Sequence, residues 1–116
     1  MRRGEVRWYQ FAKPDKKRPV LILTRTSIQS YLGEVTIAPL TRTIREIPSE
    51  VALGEADGLP HECAVNCDHI QTVSRSRIGP QIVTLTARKM REVGEAIAFA
   101  LDLWPAGGEG PTTGSP

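Results

Sequence analysis

Lys17-Arg18-Pro19-Val20-Leu21-Ile22-Leu23-Thr24 and Val35-Thr36-Ile37-Ala38-Pro39-Leu40-Thr41 are the two stretches from which the fold can be read. Both are apolar, β-branched and closed by turn residues, the pattern of buried strands. Each carries a polar group where an apolar one would fit. Arg18 stands at the start of the first, and Thr41 just past the end of the second. As antiparallel neighbours joined by the segment around Tyr31, the two strands would bring those ends to the same side of one sheet. A fixed cation and a hydroxyl would then face one groove, and the chemistry is expected there.

Outward from this pair, residues 3–11 read as a first strand, with Val6, Trp8 and Gln10 alternating against Arg7, Tyr9 and Phe11. A turn-rich loop over 12–16 leads into the strand at 18–24. Residues 26–33 form a connection with one helical turn closed by Gly33. Strands follow at 34–40, 49–53 and 62–66, with a turn at 55–60. Alternation continues over 68–73. A basic loop at 74–80, containing Gly79-Pro80, precedes a last short strand at 81–85. Thr86 can cap a helix. Met90, Val93, Ile97, Ala100, Leu101 and Trp104 share one face of it, opposite Lys89, Arg91, Glu92 and Glu95. Short strands and one C-terminal helix predict a mainly β fold, a small curled sheet or barrel with the helix packed on it. Residues 1–104 are expected to form one domain. Residues 105–116, with no apolar payload, are expected to be a disordered tail.

The 116 residues suffice for one compact domain, and only 5% are aromatic, so the core must be built from Val, Ile, Leu and Ala. The net charge of +2 does not by itself demand nucleic acid. Its distribution says more: Arg2, Arg3, Arg7, Lys13, Lys16, Lys17, Arg18, Arg25, Arg42 and Arg45 crowd the first part of the chain, which suits a polyanion or an acidic peptide. No signal peptide and no membrane-length apolar run is present, so cytoplasmic residence is the default expectation. His61, Cys63, Cys67 and His69 give H-x-C-x-x-x-C-x-H, four possible zinc ligands in a short span. Strand alternation across Ala64-Val65-Asn66 opposes that reading, and reduced, half-buried cysteines are expected instead, with no metal and no other cofactor.

Arg3-Gly4-Glu5-Val6-x-Trp8, Lys17 to Leu23, Val35 to Thr41, Glu50-Val51-x-Leu53 with Asp57-Gly58-Leu59, and Ala64-Val65-Asn66-x-Asp68-His69-Ile70-Gln71-Thr72-Val73 occur in that order. Together they resemble the MazF/PemK family of toxins, over about residues 2 to 103. The resemblance implies an SH3-like barrel that forms a homodimer. It implies metal-independent cleavage of single-stranded RNA at short sequences. It also implies inhibition by a cognate MazE-like antitoxin whose acidic, disordered tail covers the RNA groove. The family's catalytic arginine corresponds to Arg18 and its catalytic threonine to Thr41. Lys16, Lys17, Arg25, Arg42 and Thr43 are the accompanying candidates for holding RNA. Many members carry Gly-Ser-Glu before the arginine, whereas here the loop is Ala12-Lys13-Pro14-Asp15-Lys16-Lys17, without that glutamate.

Metal-free RNA cleavage needs a 2′-hydroxyl that loses its proton, a stabilised phosphorane and a protonated leaving oxygen. A guanidinium suits the second task, because its planar fork matches two phosphate oxygens. A threonine hydroxyl can add one hydrogen bond. Arginine is a poor base, so the proton acceptor stays open, with His61 and His69 the only imidazoles. Two other readings share the barrel: a non-enzymatic CcdB-like toxin that binds gyrase, and an RNA-binding barrel without cleavage. The Arg-Pro strand start and the Pro-Leu-Thr end favour the nuclease.

Overall fold

A computed structural model describes residues 1–11 and 16–103. Among these residues the chain forms β1 (Glu5–Gln10), β2 (Lys17–Ile22), α1 (Thr26–Gln29), β3 (Glu34–Thr41), β4 (Glu50–Leu53), β5 (Cys63–Asn66), β6 (Gln71–Ser74), β7 (Ile78–Thr84) and α2 (Ala87–Leu101). The sheet order is β4-β5-β3-β2-β1-β7, with β6 also on β3, and all pairings are antiparallel. The mainly β fold with a C-terminal helix is as expected. The sheet curls without closing: β4, β6 and β7 each pair on one side only among the described residues.

β3 is the central strand. β2 lies along one edge of it, and β6 and β5 lie end to end along the other. A 3-10 turn at Cys67–His69 separates β5 from β6, where the sequence suggested unbroken alternation. That turn sits opposite the gap between Ile37, the last residue paired with β6, and Leu40, the first paired with β5.

The gap explains how a proline sits in a central strand. The Thr36 carbonyl accepts from the Leu23 N–H at 2.9 Å, so Thr36 faces β2. By strand alternation Pro39 faces the other way, toward the interruption, and its missing N–H forfeits no ladder bond. Pro19 has the opposite effect. Leu23, Leu21 and Pro19 face β3, and the register places Pro19 opposite Leu40, one step past the last pair, Val20 with Pro39. Pro19 has no N–H to donate, so the β2–β3 ladder ends there. β3 continues along β5 instead, through Leu40–Val65 and Thr41–Ala64.

Both faces of the β2–β3 pair are apolar. Leu21, Leu23, Ala38 and Leu40 join Val6, Val65, Val93 and Ala96 in one cluster, which α2 covers. Val20, Ile22, Val35 and Ile37 join Tyr9 and Val73 in a second cluster. Each such aliphatic side chain, fully buried, contributes about 1.5–3 kcal/mol. Thr86 caps α2 by accepting from the Lys89 N–H at 3.2 Å, as its position predicts. Lys89 Nζ then donates to the Ala52 carbonyl at 3.0 Å and ties the helix to β4.

Four sequence expectations shift. α1 ends on Ser30 rather than Gly33. Leu101, placed on the core face by periodicity, is 53% exposed. Trp8 is 41% exposed, because it lies on the face of Val6 at the sheet end, where it lines an open cavity instead of joining the buried cluster. β7 starts at Ile78 and includes Gly79-Pro80, since an edge strand with a bulge tolerates proline. The Trp104 end of the helical face, the boundary at 104 and the tail 105–116 lie outside the described residues.

Gly58 holds φ at +91° after the 3-10 turn Glu55–Asp57, and a Cβ there would lie 2.7 Å from Val83 Cγ2. Gly58→Ala is therefore expected to cost about 1–3 kcal/mol in urea unfolding. Gly33→Ala, where a Cβ meets nothing within 4 Å, is expected to be near neutral. Equal losses would remove this account of the turn.

Candidate active site

Arg18 and Thr41 stand at the same end of the sheet. Val20 and Pro39 are the last paired residues of β2 and β3, and Arg18 and Thr41 lie two residues beyond them, one on each strand. Two-residue periodicity puts both on the face of Val20, Ile22 and Ile37. β1 backs Arg18 through the pair Tyr9–Arg18. The sequence reading of this end is thus matched by position.

The Arg18 side chain is exposed and makes no hydrogen bond or ion pair among the described residues. Other arginines of the basic first half are committed to structure. Arg3 donates to the Leu23 carbonyl. Arg7 pairs with the buried Glu5 at 2.6 Å and donates to the Gly79 carbonyl at 2.8 Å, clamping the β7 bulge. In the second half, Arg75 donates to the Gln29 carbonyl at 2.7 Å. An arginine left unpartnered beside a hydroxyl can take a bidentate anion. Thr41 is half-buried, and its Oγ1 accepts from the Thr43 N–H at 3.1 Å. That bond takes one of the oxygen's two lone pairs and leaves the hydroxyl proton free to donate.

Lys16 and Lys17 are exposed at the start of β2, next to Arg18. Arg42 is exposed just after Thr41, and Thr43 orients the Thr41 hydroxyl. Arg25 is not part of this group. It lies beyond the far end of β2, where it lines a separate groove with Leu23, Leu32, Ile97 and Leu101. Trp8 and His61 were not singled out for this end by the sequence. Both line a cavity of about 220 Å³ with Pro19, Leu40, Arg42, Leu59, Pro60 and Cys63. No sequence signal marked either residue for this end, since both come to it through partners distant in the chain.

The two cysteines are free and buried, while His61 and His69 are exposed. Among the described residues no three His, Cys, Asp or Glu side chains come together as a metal site. Burial pushes the Cys67 thiol up to about 11, with the charges of Asp68 and Glu50 adding. Burial also raises Cys63, helped by Asp57 and opposed by Arg42.

Residues 2–101 match the family of PemK-like, MazF-like toxins of type II toxin-antitoxin systems. The chain belongs to the PemK/MazF toxin family. It is 42% identical over 92 residues to the Mycobacterium tuberculosis endoribonuclease MazF3, covering 79% of this chain and 89% of that one. It superposes on the Mycobacterium tuberculosis toxin MazF-mt6 with a TM-score of 0.79 at 39% identity, over 86% of this chain and 98% of the other. It is also similar to an endoribonuclease in complex with its cognate antitoxin from a mycobacterial species. There the TM-score is 0.80 at 31% identity, over 90% of this chain and 99% of that chain. The resemblance carried by the strand motifs is thereby established. These relatives are described as endoribonucleases or as a MazF toxin, and none as a gyrase-binding protein. No described helix is long and apolar enough to cross a membrane.

The raised Cys67 thiol has a signed consequence. Between about pH 9 and pH 11 the unfolded thiol loses its proton while the folded one keeps it, so stability falls as pH rises through that window. The loss is expected to reach about 2–3 kcal/mol at its upper end. Cys67→Ala should flatten it when urea unfolding is followed at pH 8.5 and 11. An unchanged slope would show that Cys67 is not the group concerned.

Proposed function

We propose that the protein is a sequence-specific, metal-independent endoribonuclease toxin acting in the cytoplasm on single-stranded RNA. The observation that carries this reading is an Arg18 without a partner among the described residues and an oriented Thr41 hydroxyl on the same face of one sheet end, where the β2–β3 ladder stops, in a chain of this family. The RNA 2′-hydroxyl gives up its proton and attacks the adjacent phosphorus, closing the 2′,3′-cyclic phosphate as the bond to the 5′ oxygen breaks and that oxygen takes up a proton. Arg18 holds two non-bridging oxygens of the phosphorane, and Thr41 donates to one of them. Neither side chain contacts a carboxylate or imidazole among the described residues, so the pair supplies charge stabilisation rather than proton abstraction. Lys16, Lys17 and Arg42 hold flanking phosphates, which makes binding weaken as salt rises.

The complex of a 31% identical relative with its antitoxin supports a cognate antitoxin for this chain as well. An acidic tail fits the exposed cations. Exposed Tyr31, Leu32, Phe99, Leu101 and Leu103 supply apolar surface for self-association, and a homodimer of about twice 12.8 kDa is expected in light scattering.

Purified protein is expected to cut RNA in excess EDTA, leaving 2′,3′-cyclic phosphate and 5′-hydroxyl ends. Cleavage that vanishes in EDTA and returns with magnesium would overturn the mechanism. Arg18→Lys keeps the charge and loses the fork. It is expected to lower the cleavage rate about a hundredfold or more with an unchanged melting temperature. A lysine variant of near-full activity would reduce Arg18 to electrostatic steering.

A further inference from the structure

Trp8 is a large apolar side chain held 41% exposed in a chain with few aromatics. Two cavities meet at it. The first, about 220 Å³, is lined by Pro19, Leu40, Leu59 and Pro60, with Arg42 and His61 as its polar groups. The second, about 510 Å³, is lined by Tyr9, Gln10, Gly79 and Pro80, with Lys17 and Arg77. Trp8 is the one lining residue the two share.

Its place is fixed by backbone on both sides. In β1 it pairs with Pro19, the residue after Arg18. Across β7 it meets the bulge at Gly79, where a Cβ would lie 3.4 Å from the Trp8 carbonyl oxygen and 3.5 Å from its Cβ. β7 thus packs directly against the base of the tryptophan. Leu40 and Arg42, on either side of Thr41, line the first cavity. Lys17, next to Arg18, lines the second. Both cavities therefore lie at the sheet end that carries Arg18 and Thr41, with the smaller one on the opposite face of the strands, around the edge from that pair.

We propose that Trp8 is a stacking platform for RNA bases at the sheet end that bears Arg18 and Thr41, with one nucleobase beside it in each cavity. This inference rests on the RNA-cleavage reading. A flat aromatic surface flanked by cations is the arrangement that single-stranded nucleic acid requires, since every base has a face to stack and every phosphate a charge to neutralise. In the smaller cavity His61 presents a hydrogen-bonding group to a base edge, beside Arg42 on the phosphate, which makes it the more selective of the two.

Fluorescence separates the alternatives. The chain has two tryptophans, so full-length protein carrying Trp104→Phe reports on Trp8 alone. The probes are a mixed-sequence single-stranded 2′-deoxy oligonucleotide, an abasic deoxyribose-phosphate oligomer of equal length, and a synthetic Glu/Leu peptide. RNA cleavage by the same protein is scored separately. Quenching by the base-bearing oligonucleotide and not by the abasic one is expected. Equal quenching by both would mean that charge alone holds the strand and would overturn the platform. Quenching by the peptide alone would assign the cavities to a protein partner and also overturn it. No quenching with RNA still cleaved removes the platform and leaves the nuclease reading standing. No quenching and no cleavage removes both. In cleavage, Trp8→Leu is expected to lose about tenfold or more in kcat/KM, while Trp8→Phe, which keeps a ring, stays within about threefold. Equal losses in the two variants would contradict stacking.

Discussion

A missing hydrogen-bond donor shapes this molecule's functional end. Pro19 faces β3 at the position where the next ladder bond would form, and it has no N–H. β2 and β3 therefore part after Val20 and Pro39, and β3 turns to β5. Arg18 and Thr41 are the residues left on the two parted strands. A residue other than proline would let the ladder run on and would draw the two strand ends together. Pro39, one register step away, has no such effect, because it faces the 3-10 interruption between β5 and β6. The same side-chain type ends pairing at one position and is silent at the other, and backbone direction decides which.

The chain's positive charge divides along the same line. Arg3, Arg7 and Arg75 spend their donors on backbone carbonyls and a buried carboxylate, where they fix the N-terminus, the β7 bulge and α1. Lys16, Lys17, Arg18 and Arg42 are left exposed at the sheet end. A mild net charge thus conceals a local concentration of unpaired cations. Buried apolar clusters on both faces of β2 and β3 hold those strands rigid, so the cations need little reorganisation to receive a phosphate.

The strands at the centre of the fold were legible in the sequence because continuous apolar, β-branched runs have few other solutions. Arg18 and Thr41 were legible as a pair because antiparallel pairing fixes which ends meet. What the sequence concealed depends on partners distant in the chain. Trp8 alternated with the core residue Val6, but a strand's periodicity does not show where along it the core ends. Gly79-Pro80 looked like a loop, since only an edge position accommodates it. Arg25 looked like part of the basic group, since charge along a chain does not show at which end of a strand it will lie. His61 read as one of four possible zinc ligands, whereas the fold sets it beside Pro19 and Leu40.

The central claim is that Arg18 and Thr41 act on the same phosphate oxygens. A double-mutant cycle tests it most directly, with Arg18→Lys, Thr41→Val and the double variant compared by single-turnover cleavage of one RNA. If both side chains bind the same developing charge, the double variant is expected to lose much less than the product of the two single losses. Losses that multiply, with all three proteins folded, would mean that the two residues act independently and would contradict the shared site.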